Sequence, residues 1–194
     1  MAEVGSRTSV AALTAWLSAP SETARQQALV AASKIQPIDL ANVDRLPVSG
    51  LIAWSTGDVP RLAGMRPHVR LAILTCGLGK RLGLEISASE ATSLDQLPFI
   101  VRMRGEEIVV EVPRTSERSQ SFSNPIYSQW VSGVAAARVV IDCTLLDHVH
   151  SVLIAWMLQL AQNAKPNSVR IRGAKPVVAT QLRQLRLDHL MPIE

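Results

Sequence analysis

Several classes of protein are excluded by what the chain has little of. Cysteine is limited to Cys76 and Cys143 among 194 residues, and neither stands in a CxxC or Cys/His cluster. Two isolated thiols build no disulfide framework and no thiolate metal site, so a reducing compartment is expected. The longest apolar run is Val152–Leu158, seven residues, well short of the roughly 20 a membrane-crossing helix needs. The first ten residues, MAEVGSRTSV, hold neither a basic leader nor a continuous apolar stretch, so no signal peptide is expected. These readings describe a soluble, cytoplasmic protein without membrane insertion. Aromatics make up only 4% of the chain, and few stand between the basic residues. No stacking platform for nucleic acid is therefore expected.

Apolar side chains, by contrast, are plentiful at 47%, enough to bury a core and offset the entropy of ordering. A net charge of +4, spread along the chain, is too mild and too dispersed to imply a polyanionic partner.

Periodicity divides the chain in two. Residues 1–95 read as a helical domain. Val10, Leu13, Trp16 and Leu17 form one apolar stripe, and Ala24, Ala28, Leu29, Ala32 and Ile35 form another behind Ser21 as an N-cap. Further helices are expected from Asp58-Val59-Pro60 and over Val69–Leu82, where Gly77 and Gly79 loosen the end. Cys76-Gly-Leu-Gly-Lys-Arg81 has neither the spacing of a phosphate loop nor a hydroxyl after Lys80, so it reads as a helix end.

From residue 97 the period changes. Phe99–Met103 and Ile108–Val112 are β-rich runs joined through Gly105, a hairpin pattern. A polar loop with four serines spans Pro113–Asn124, and Asn124-Pro125 can start a helix reaching Val134. Arg138–Cys143 reads as a buried central strand, Ser151–Asn163 as a helix, Val169–Arg172 as a strand and Pro176–Leu187 as a last helix. Helical crossovers between strands imply an α/β fold, a mixed sheet covered by helices.

The hairpin FIVRMRGEEIVVEV, the strand RVVIDC with the loop and apolar helix after it, and the ending VRIRGAKPVVATQLRQLRLDHLMPI carry a resemblance. Over residues 97–194 the chain resembles a STAS domain, the fold of anti-anti-sigma factors and of sulfate-transporter tails. The resemblance implies a non-enzymatic regulatory or scaffolding module without a cofactor or metal. Its partners would be a kinase-type anti-sigma factor, other STAS proteins, or a second copy of this chain in a homo-oligomer. An accessory subunit of an ABC-type transporter is the alternative. In the family an Asp-Ser-Ser-Gly or Asp-Thr sequence at a helix N-terminus receives a phosphate on its hydroxyl. Ser151 falls on that hydroxyl, His150 on the aspartate, and Val152 and Leu153 on the second serine and the glycine. Ser151 is thus either a helix cap or a phosphorylation site.

Asp147-His148-Val149-His150-Ser151 is the densest polar chemistry in the chain. His148 and His150 have the spacing for a metal pair with Asp147 as a third ligand, which would make a small metal-binding protein or enzyme. Ser151 lacks the glycine-flanked elbow of a nucleophile. A loop that binds partners is the reading preferred, with no catalytic residue. The helix after it is apolar all round, so it needs cover on two sides. The second cover is the N-terminal half, a second protomer or another protein packed on the helix, or else the helix lies inside one larger core formed with the N-terminal half. In the STAS family this helix and the loop before it belong to the partner-binding face, so the resemblance implies a face over loop 144–151 and helix 151–163 that includes Asp147, His148, His150, Ser151, Val152, Ile154, Trp156 and Met157.

Overall fold

The computed structural model describes residues 37–57 and 59–194. The helices expected over residues 8–17 and 21–35, and Asp58 itself, lie outside the described residues. The fold is mixed α/β, built on a four-stranded sheet of β4 (Ile100–Arg104), β5 (Glu107–Glu111), β7 (Arg138–Asp142) and β8 (Ser168–Arg172). These strands lie side by side in that order; β4 runs antiparallel to β5, and β5, β7 and β8 are parallel. The β4–β5 turn uses Gly105 at φ +56°, a left-handed conformation suited to glycine.

Register explains the two faces of the sheet. Ile108 pairs with Val139, which pairs with Val169, and Val110 pairs with Ile141, which pairs with Ile171. All six side chains are buried in one core. The alternate positions form cross-strand ion pairs, Arg102 with Glu111, Arg138 with Glu107 and Arg172 with Asp142. The two crossovers, β5 to β7 and β7 to β8, step across the sheet in one direction. Right-handed connections therefore place both on the same face. Helices cover one side of the sheet, and a lattice of charges covers the other. The C-terminus closes the β8 edge: Ile171 N–H donates to Pro192 O and Glu194 N–H to Ile171 O.

α5 (Ser151–Ala164) fills the crossover between β7 and β8, and α6 (Pro176–Gln184) follows β8. The expected final helix reaches Leu187, but α6 ends at Gln184 because Arg186 turns to φ +57° and a 3₁₀ turn begins at Leu187. Between β5 and β7 the chain forms 3₁₀ turns at Arg114–Ser116 and Gln120–Ser123. It continues through the short α4 (Ile126–Gln129) and a 3₁₀ turn at Trp130–Gly133, then the two-residue β6 (Val134–Ala135). The single helix expected from Pro125 to Val134 is thus a chain of short turns.

Preceding the sheet are β1 (Ile38–Asp39), β2 (Leu46–Pro47), α1 (Val48–Thr56), β3 (Leu62–Ala63), α2 (Pro67–Thr75) and α3 (Ala88–Asp95). The three short strands are additions to the helical reading. β1 pairs with β3, and β2 pairs in parallel with β6 from beyond the expected boundary. No helix starts at Val59–Arg61, which leads into β3. α2 stops at Thr75 rather than Leu82: Gly77, at φ +77°, donates to Leu74 O at 2.9 Å, and Leu78 donates to Ile73 O at 3.1 Å. That pair of bonds is a Schellman closure, and it needs the glycine.

Further contacts cross residue 96. The Tyr127 hydroxyl donates to Ser93 O at 2.9 Å. The Arg45 guanidinium donates to Ala164 O and Lys165 O at the end of α5. A Cβ on Gly133 would stand 2.3 Å from His68 O, so α2 packs against the 130–133 turn at glycine distance. Segment 37–95 shares one apolar core with the sheet.

Candidate functional site

Loops leave the carboxyl ends of β5, β7 and β8 on the same edge of the sheet, because the three strands are parallel. The loop after β7 is held from within. Asp142 Oδ1 accepts from Thr144 N–H at 3.1 Å and from the Thr144 hydroxyl at 2.6 Å, and Arg172 bonds Asp142 Oδ2 at 2.8 Å. Burial pushes the Asp142 carboxyl up, but the Arg172 and Thr144 hydrogen bonds outweigh it and hold the group below its ordinary range. Cys143 and Leu146 are buried beneath the loop. Burial, with Asp142 adding to it, pushes the Cys143 thiol up to about 12. Val149 N–H donates to the Gln181 side chain at 3.2 Å and ties the loop to α6.

On this base stands a charged cluster. Asp147 pairs with Lys175, at 2.7 Å, and with Arg114. The Lys175 hydrogen bond and the two nearby cations keep its carboxyl below the usual range. Glu117, only 8% exposed, accepts from Asp147 N–H at 3.4 Å. Its other oxygen lies 3.7 Å from His150 Nε2, which is shut off from solvent and makes no hydrogen bond among the described residues. Arg114, Thr115, Glu117, Arg118, Asp147 and His148 enclose an open cleft of about 430 Å³.

Ser151 is the first residue of α5, and the N-cap position belongs to His150, which supplies no side-chain cap. Ser151 is exposed. The reading of Ser151 as a helix cap is thereby corrected: a cap must precede the first helical residue to reach the N–H groups beyond it.

The partner face expected along α5 also needs correction. Leu153, Trp156, Met157, Leu160 and Ala164 form a buried stripe, with Trp156 1% and Met157 0% exposed. Trp156 stacks on Phe99, with centroids 5.3 Å apart, and lies 4.8 Å from the Phe122 ring. Its indole N–H donates to Tyr127 O at 2.8 Å, the carbonyl that also accepts from Trp130 at 3.1 Å. The second cover that this apolar helix demanded is the segment 120–133 of the same chain. Trp156 and Met157 are core residues, buried within this chain. Ser151 and Ala155 remain exposed, and Val152, Ile154 and Leu158 half-buried.

Asp147, His148, His150 and Ser151 are brought to one end of the molecule. Among the described residues, no three His, Cys, Asp or Glu side chains gather as a metal site; Asp147 is engaged by two cations instead. Sequence reasoning missed Arg114, Thr115, Glu117, Arg118, Lys175 and Gln181. The signal that points to them is topological: sites in open α/β sheets lie outside the carboxyl ends of parallel strands. No helix among the described residues is long and apolar enough to cross a membrane. The chain matches no protein-family model and no curated protein sequence.

Proposed function

We propose that the chain is a non-enzymatic protein-interaction module whose residues 97–194 form a STAS-like domain. It docks partner proteins through loop 144–151 and the first exposed turn of α5. One observation carries this reading: an exposed, uncapped Ser151 heads a helix whose other side is locked into the core, beside a charged cleft. A hydroxyl there is open to a partner, and the free backbone N–H groups and helix dipole favour an anionic group facing it. The resemblance to anti-anti-sigma factors makes the partner an ATP-binding kinase-type regulator or another STAS protein. Segment 37–95, packed on the same core, keeps α5 in place and adds surface of its own.

The test is affinity capture of the tagged full-length protein from its native lysate, read by mass spectrometry beside Ala155→Asp. Recovery of a kinase-type regulator or of STAS proteins, lost in the variant, is the expected result. Equal recovery with both baits, or recovery of neither class, contradicts the docking face.

A further inference from the structure

We propose that the cleft between the Arg114–Arg118 turn and the Asp147–His148 loop binds a small molecule through an oxyanion, a phosphate or carboxylate group. This goes beyond the docking role and does not rest on it. The lining is polar, so a neutral apolar ligand finds no partner surface there. Four groups able to donate to an anion stand around the opening: Arg114, Thr115, Arg118 and His148. Among the described residues, Arg118 makes no ion pair. The two carboxylates of the cluster are engaged by the protein itself. Asp147 takes Lys175 and Arg114, and Glu117, buried, accepts from Asp147 N–H. Arg118 is therefore left without an ion-pair partner among the described residues, and a guanidinium matches the geometry of phosphate and carboxylate oxygens.

Position and size agree with this chemistry. The cleft is built from loops at the carboxyl ends of β5 and β7, the edge where open α/β sheets hold ligands. Its volume of about 430 Å³ exceeds what a bare ion fills and falls in the range of small-molecule sites. Glu117, part of the lining, is buried, and so are Val112 and Leu146, which precede the two lining segments in the chain.

Amide chemical shifts of the full chain, titrated at constant ionic strength, test the proposal with inorganic phosphate as one probe and citrate as the other. Saturable shifts confined to residues 114–118 and 147–148 are expected with at least one probe, and which one saturates tells phosphate from carboxylate. Arg118→Gln raises the apparent Kd about tenfold, the scale of one lost charge-assisted bond. Arg118 is exposed, so the variant's remaining spectrum stays superimposable on the parent. Arg183→Gln, an exposed change on α6 outside the cleft lining, leaves the Kd within about twofold, as solvent-screened surface charges do. Shifts that do not saturate with either probe, that spread over all basic residues, or that respond equally to both variants overturn the proposal.

Discussion

Individual side chains set what the molecule tolerates. Arg70 holds Glu90 through two hydrogen bonds, at 2.9 and 3.1 Å, while Glu90 also completes a capping box with Ser87. The Arg70 bond, then the Ser87 backbone bond, hold the Glu90 carboxyl at about 2, against an ordinary 4.5. A lowered carboxyl favours the folded state at pH values above its ordinary range, and that contribution fades as pH falls through the folded value. Urea titrations should therefore find Glu90→Gln less stable than the parent by about 1 kcal/mol at pH 6, the scale of a part-buried pair with a cap. The difference should shrink steadily below pH 4. A difference that stays constant down to pH 2 contradicts this account of the pair. Ser151 behaves in the opposite way. Because its side chain caps nothing, Ser151→Ala should change stability by less than about 0.5 kcal/mol, as surface changes do. A loss above about 1 kcal/mol in the same titration would restore the capping role.

Between neighbouring elements, the aromatic cluster joins what the sequence keeps apart. Phe99 precedes β4, Phe122 and Trp130 lie in 3₁₀ turns, and Trp156 is on α5, yet Phe99 stacks on all three. Trp156→Ala should cost about 3–5 kcal/mol in equilibrium unfolding, the range for a buried large-to-small change; a cost under 1 kcal/mol would mean that α5 is not clamped there. The four strands of the main sheet and the helices α5 and α6 were legible in the sequence, since β-branched runs and glycine turns act locally; β6 and the broken run from Pro125 to Gly133 were not. The order of hairpin, central strand, helix, strand and helix follows from period alone. Three of the features that were not legible have a plain cause. The α2 terminus depends on Gly77 closing two backbone bonds, which a helical period running on to Leu82 masks. The pairing of β2 with β6 joins residues 46–47 to 134–135, and two-residue strands have no period to read. The partner side assigned to Trp156 and Met157 failed because an all-round apolar helix signals double cover without naming the cover. The segment 120–133 supplied it, although the sequence reads as a polar loop up to Asn124 and as a helix from Pro125, and neither reading says what the segment packs against.

At the scale of the whole molecule, the sheet divides the labour. Its inner face and the segment 37–95 make one core, its outer face carries paired charges, and its carboxyl edge gathers the loops with the open chemistry. His148, Asp147, Arg114 and Arg118 share that edge with Ser151 although they come from two different crossovers. The sequence named Asp147, His148, His150 and Ser151, because they are adjacent in the chain. It gave no sign of the arginines, which arrive through the parallel pairing of β5 with β7. The docking account therefore predicts a footprint, and hydrogen–deuterium exchange of the full chain, free and bound to a captured partner, measures it most directly. Protection on binding should concentrate in residues 144–155, with the amides around Trp156 already slow in the free protein. Protection centred on β4 or on residues 37–95, with 144–155 unchanged, would contradict the account.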